Sequence, residues 1–251
     1  SGKHVLIEKP MGCNVAEARR MAEISKQTGR YLKVGFNHRY HPAIQEAFLI
    51  FKSGKIGEII NVRARYGHGG RPGYENEWRG NPKLAGGGEL TDQGVHVIDL
   101  LDWFIGKPSF VYCAKQTAIW SIAPLEDNGF GILHFSNGVI ASFHTSWTQW
   151  KNCFSFEIFG TQGSLSIDGL GGSYGIETLT QHIRHSQNSI PDTHVTQFDR
   201  PDLSWQLEWE DFIHAIQSQS TCHSLAQASI RIMETLAALY ESSQRQQTVS
   251  L

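Results

Sequence analysis

HVLIEKPMGCNVAEARRMAEISKQTGRYLKVGF, residues 4–36, decides how the rest of the chain is arranged. Its opening HVLIE is a short apolar run of strand type. Asn14 follows, with Glu17 three places on, the capping-box spacing that starts a helix. The helix is expected over 15–28 and ends at Gly29, because glycine takes the left-handed backbone of a helix end. Residues 31–36, YLKVGF, read as a second strand. Strand, helix and strand in so short a span make a parallel pair, since parallel strands need a crossover between them. Two parallel strands do not make a self-sufficient doubly wound sheet, which needs more strands and both faces covered. The chain is therefore expected to begin in the middle of a domain, with residues 1–37 its remnant and 38–251 the domain that follows.

Beyond residue 37 the pattern changes. Pro42 suits the first turn of a helix over 42–53, and GEIINVRARYG at 57–67 alternates as a strand. Residues 68–90 form a long Gly/Pro/Asn loop, and loops of that length are usually functional or mobile. A helix is expected over 91–105. Strand-like runs at 109–118, 128–135, 138–147, 153–160 and 163–168 are separated by turn signals such as Ser136-Asn137-Gly138, the spacing of an antiparallel meander. Residues 169–203 read as irregular, with two short strands at most. Ser204 is expected to cap one helix, and Ser224 with Gln227 to open another near 225–242. The polar tail from Ser242 is expected to fray. The fold class is α+β: a mostly antiparallel open sheet with helices on one face, preceded by a truncated parallel βαβ unit.

The 251 residues are 40% hydrophobic and 18% charged, with a formal net charge of −2, an ordinary globular balance. No Lys/Arg block marks a nucleic-acid partner, and no apolar run approaches a membrane span. Cys13, Cys113, Cys153 and Cys222 are far apart and form no CxxC pair, so neither a zinc site nor a disulfide framework is expected, and a reducing cytoplasm is the simplest compartment.

The densest chemistry lies in AGGGELTDQGVHVIDLLDWF, residues 85–104. A phosphate loop needs a strand, then glycines in set spacing, then a helix N-terminus. NPKLA before Gly86 is no strand, and GGGxxxDxG matches neither phosphate-loop spacing. The glycines instead permit close backbone approach or positive φ at the entry to a helix. On that helix Asp92, His96 and Asp99 fall within one narrow arc. Buried acids and histidines need partners, so a capping Asp92 and a satisfied core His96 is one reading. An acid–base site is another, and a metal site has no second ligand cluster to support it. Upstream, Lys9 at the carboxyl end of a parallel strand stands where open α/β sheets bind ligands, although an exposed turn lysine would look the same.

Taken in order, GKHVLIEKP at 2–10, VGFNHRYHPA at 34–43 and WRGNPKLAGGGELTDQGVHVID at 78–99 resemble the glucose–fructose oxidoreductase/inositol dehydrogenase family, Gfo/Idh/MocA. The resemblance runs over the whole chain. It implies an NAD- or NADP-dependent oxidoreductase of a sugar, polyol or related hydroxy compound, with a dinucleotide-binding Rossmann domain before an α+β domain that forms homo-oligomers through its open sheet. It implies that Glu8, Lys9 and Pro10 border the cofactor, with Lys9 near the nicotinamide and the substrate hydroxyl. It implies that Asp92 and His96 face the substrate, with His96 the proton donor or acceptor and Asp92 fixing its tautomer or holding a hydroxyl. Arg39, Tyr40, Trp78, Arg79 and Asp99 are expected around the cleft, and Trp147, Trp150 and Tyr74 are placed for sugar stacking or for an oligomer interface. No Gly-x-Gly-x-x-Gly precedes residue 1, so most of the cofactor site is expected to be absent and the chain alone is expected not to turn over. The rival expectation is a non-catalytic binding or assembly module. A redox-assisted lyase or glycosidase also stays open, because fold and motif do not set the reaction.

Overall fold

The computed structural model describes residues 2–185, 190–218 and 222–251, without the side chains of 222–225. β1 (Val5–Glu8) and β2 (Leu32–Gly35) pair in parallel, with Val5 beside Leu32 and Glu8 beside Gly35, and α1 (Val15–Thr28) crosses between them. The Asn14 side chain accepts from the backbone N–H of Glu17, and the Glu17 carboxylate accepts from the N–H of Cys13. Gly29 closes the helix at φ 63°. The first segment thus folds as its pattern predicts.

The second layer is a nine-stranded sheet. It is built from β3 (Ile59–Gly67), β4 (Pro108–Gln116), β5 (Asn128–Phe135), β6 (Ile140–Ser146), β7 (Cys153–Gly160), β8 (Gly163–Asp168), β9 (Glu177–Ile183), β10 (Asp192–Phe198) and β11 (Val249–Ser250), in the spatial order β10-β9-β8-β7-β3-β6-β5-β4-β11. Only β3 and β6 run parallel to each other; every other neighbouring pair is antiparallel. One face of this sheet carries Val62, Ala64, Val111, Leu133, Phe143, Phe156 and Ile158 into the core. Against it lie α2 (Pro42–Lys52), α4 (Val95–Phe104), which follows the single-turn α3 (Pro82–Ala85), and α6 (Cys222–Arg245), and α6 also packs on α1 and β2 and so joins the two layers. α5 (Ser204–Gln217) rests on the 3₁₀ turn Asn37–Tyr40.

Three local expectations are corrected. The tail does not fray: Ser242 is wholly buried, its Oγ accepts from the N–H of Cys113, and Val249–Ser250 adds β11 to the sheet edge. Ser204 does not cap α5. The Asp202 carboxylate accepts its N–H at 2.8 Å, while its own hydroxyl meets the Asn37 amide. His182, expected in an irregular stretch, lies on β9 and meets Thr193 across the strand pair. The capping box expected at Ser224 lies outside the described side chains.

Candidate active site

The glycine run explains how the site segment enters the core. Gly86 has φ 72° and sits against Cys13, and a Cβ on Gly88 would collide with the backbone of Glu126. The Glu126 carboxylate then accepts from the N–H groups of Gly88 and Leu90 and from Tyr240. The glycines serve close approach, as their spacing suggests.

The helix that follows differs from a simple α-helix over 91–105. Residues Leu90–Gly94 wind as a π turn, and regular helix begins only at Val95. Such turns often mark functional sites because they re-aim one side chain. Here Asp92 is turned onto Lys9: Nζ of Lys9 donates to Oδ1 at 2.8 Å and also to the Asp92 carbonyl oxygen. The Arg79 guanidinium donates to Oδ2 at 3.2 Å. Burial opposes ionisation of Asp92, but the two cations outweigh it and hold its pKa below the ordinary value.

His96 is one turn on and makes no hydrogen bond with Asp92. Its Nδ1 is buried without a partner, so Asp92 does not fix its tautomer. Burial, then His38, Lys9 and His41, push its pKa well below 6.5. The ring is a neutral imidazole, not a base poised near neutrality. His38 stacks on it with ring centroids 3.8 Å apart.

Lys9 and His96 border one cavity of about 240 Å³, together with Glu8, His38, Tyr66, Tyr174, Asp202 and Trp205. Gln93 donates to the Tyr174 hydroxyl at 3.0 Å and fixes that wall. A larger groove, about 960 Å³ and lined by Cys13, Thr91 and Tyr240, holds neither Lys9 nor His96. Among the described residues no group of three or more His, Cys, Asp or Glu side chains is placed to hold a metal ion.

The other expected residues divide. Arg79 reaches Asp92, and exposed Trp78 lies over its guanidinium at 4.4 Å. Arg39 turns away: its guanidinium grips Asp99 in a two-point pair at 2.6 and 2.8 Å, and Asp99 is wholly buried. Burial raises the Asp99 pKa in spite of Arg39. Tyr40 sits with Arg39 in a separate pocket, where its hydroxyl accepts from Lys33 at 2.6 Å and donates to Asp211 at 2.8 Å. Trp147 and Tyr74 are core residues packed on each other, not sugar platforms, and Trp150 is exposed. Sequence reasoning missed His38, although it stands between two residues of the quoted NHRY. It also missed Glu89, a fully buried acid whose two oxygens have no partner and whose pKa burial raises well above the ordinary value. Tyr174 and Trp205 come from stretches with no pattern to announce them.

A parallel βαβ unit thus delivers a strand-end lysine to an Asp/His helix under an open sheet. Residues 1–36 match the profile of the oxidoreductase family with an NAD-binding Rossmann fold, and 44–166 match that of the GFO/IDH/MocA C-terminal domain. The chain belongs to the Gfo/Idh/MocA family. It is 28% identical to D-glucoside 3-dehydrogenase of Escherichia coli (strain K12) over all of this chain and 73% of that protein. It is 30% identical to 1,5-anhydro-D-fructose reductase of Ensifer adhaerens over 76% of this chain and 57% of that protein. Levoglucosan dehydrogenase in complex with NADH and levoglucosan superposes with a TM-score of 0.87 at 23% identity, covering 99% of this chain and 74% of that one, which establishes the fold. The relatives are sugar oxidoreductases by name, and the chain spans between about half and three quarters of their length.

Proposed function

We propose that this chain carries the substrate-binding and proton-transferring groups of an NAD(P)-dependent oxidoreductase acting on a sugar, polyol or related hydroxy compound. The observation that carries this reading is that Lys9, locked on Asp92, and neutral His96 line the same cavity. The residues present fit the nicotinamide end of the cofactor: Glu8, Lys9 and Pro10 stand at the carboxyl end of a parallel strand, the position where such sheets take ligands. When bound, the nicotinamide supplies the hydride acceptor or donor. The side chains do the rest. His96, unprotonated, takes the hydroxyl proton in oxidation and returns it in reduction. Its basicity is lowered by burial, so the Lys9 ammonium is needed to steady the alkoxide and ease the proton away. Asp92 and Arg79 keep Lys9 aimed. Tyr66, Tyr174 and Trp205 offer hydroxyl and ring surface to a polar, ring-shaped substrate.

The outer sheet face supports self-association. Phe110, Tyr112, Phe130, Ile132 and Ile140 are each at least 36% exposed on adjoining strands, and a contiguous apolar face of this kind suits a second copy. Sedimentation across concentration tests it, and a strictly monomeric profile counts against it.

Titration with NADH and NADPH, followed by nicotinamide fluorescence, tests the main reading. In the full-length protein, saturable binding, with turnover of polyols abolished in His96→Asn, is the expected result; no binding by the 251 residues alone would make them the substrate and assembly part only. Binding without any turnover would favour a non-catalytic module, and unchanged turnover in His96→Asn would remove His96 from the chemistry.

A further inference from the structure

We propose that His38 is the positioning residue for His96, holding its ring plane; this rests on the reading of His96 as the proton-transferring group. The two imidazoles stack at 3.8 Å with 18° between their planes, and both are buried. His38 is itself locked from the other side. Nδ2 of Asn37 donates to Ser204 Oγ at 2.9 Å, which turns Oδ1 of Asn37 toward His38 Nδ1 at 3.1 Å. An amide oxygen only accepts, so Nδ1 of His38 carries the proton and Nε2 is bare. Nε2 is buried with no hydrogen-bond partner. Tyr66 and Phe154 meet the His38 ring edge-on at 5.2 and 6.0 Å and close the box around it.

A line of contacts therefore runs from Ser204 in the first turn of α5, through Asn37 and His38, to His96. His38 borders the cavity but offers no free nitrogen to a bound molecule, because Nε2 is sealed. Its effect passes through His96, which cannot turn about its ring axis without breaking the stack. Two imidazolium rings at this separation also repel; burial is the largest cause lowering both pKa values, with His38 adding to the shift of His96, and His41 and Lys9 to that of His38.

Long-range ¹⁵N–¹H correlation of the histidine side chains tests this without any turnover. In the wild-type protein His38 is expected as the Nδ1–H form and His96 with a single set of nitrogen shifts. His38→Phe keeps a stacking ring and is expected to leave His96 in that single state, whereas His38→Ala is expected to give averaged His96 nitrogen shifts. An unchanged His96 spectrum in His38→Ala, or a proton on Nε2 of wild-type His38, overturns the proposal. Kinetics supply the second arm. His38→Ala is expected to lower kcat by about 10- to 100-fold with KM held, and His38→Phe to keep kcat within about threefold of wild type, a loss that ring misplacement alone produces. Equal losses in both variants that follow the melting temperature would mean a packing role only. Unchanged turnover in His96→Asn would defeat the functional reading but leave the nitrogen-shift result to judge the lock by itself.

Discussion

Asp92 and Asp99 stand on one helical segment, each paired with a basic side chain, yet the two pairs differ in kind. Lys9 borders the cavity and Asp92 pairs with it, and their side chains keep exposures of 16% and 19%, so the Lys9 charge remains within reach of a ligand. Asp99 has none, and Arg39 closes over it from behind. The π turn at Leu90–Gly94 produces this division by rotating Asp92 toward the strand-end lysine, while the regular helix carries Asp99 into the interior. Under the proposed function the same residue type would serve chemistry on one side and cohesion on the other, and substitutions on each side should separate turnover from stability.

The largest effect is expected at Lys9. Lys9→Met removes the cation that steadies the alkoxide and should lower kcat by about 100- to 1,000-fold, the usual loss for one such donor. The melting temperature should fall less than for the buried Asp99 pair, because Arg79 still donates to Asp92 when Lys9 is removed. Steady-state kinetics beside a thermal melt would show it. Turnover retained within a few-fold would end the comparison, since the Asp92 side would then be structural too.

On the opposite side the order reverses. Asp99→Ala leaves the Arg39 guanidinium without its two-point partner and should cost about 3 kcal/mol, the low end for breaking a buried pair because Arg39 is part-exposed. Urea unfolding would measure the loss, and turnover per folded molecule should stay near wild type. A tenfold fall in that turnover would mean that Asp99 belongs to the site after all.

Acid sharpens the contrast between the charged half of the cavity and the histidine pair. His38 and His96 have pKa values well below 6.5 in the fold, with burial the largest cause. The unfolded chain therefore binds more protons than the fold as pH drops below 6.5. Stability is intact above that pH and is lost as pH falls toward the folded pKa values, by about 1.4 kcal/mol per pH unit for each histidine. Asp92, with its lowered pKa, keeps its contribution until below the ordinary carboxylate range. Unfolding free energies at pH 6 and pH 5 should converge in His38→Phe relative to wild type by about one such increment. Parallel slopes in the two proteins would show that His38 already carries a proton in the fold.

Much of this division was legible beforehand, and the rest was hidden for identifiable reasons. Turn signals placed the strands to within a few residues, because a turn demands particular residues whatever surrounds it. The segment 90–104 hid its π turn because Val95, Val97, Ile98, Leu100 and Leu101 are apolar all round, and a helix buried on every side has no phase to betray an extra residue. Arg39 and Tyr40 share one short motif with His38, but the 3₁₀ turn Asn37–Tyr40 sends His38 to the cavity and its neighbours to the back. Adjacent residues of a tight turn diverge in direction, and no spacing rule for helices or strands foretells it. The ordered tail depends on Ser242 reaching Cys113, a partner 129 positions away.

Tyr40 gives the finest test, because family resemblance points it at the cleft and the geometry points it behind. Its hydroxyl joins Lys33 to Asp211, and burial with the Asp211 contact raises its pKa, so the phenol stays protonated and acts as a fixed bridge. Lys33 keeps its contacts to Asp211 and to the Glu208 carbonyl when that bridge is lost. Tyr40→Phe should therefore cost only about 1 kcal/mol, near the net worth of one hydrogen bond, and leave KM for the hydroxy substrate unchanged. A tenfold rise in KM would be a binding loss of about 1.4 kcal/mol. That result would mean a bound substrate reaches past the histidine pair to the back pocket, and the boundary drawn between Asp92 and Asp99 would have to move.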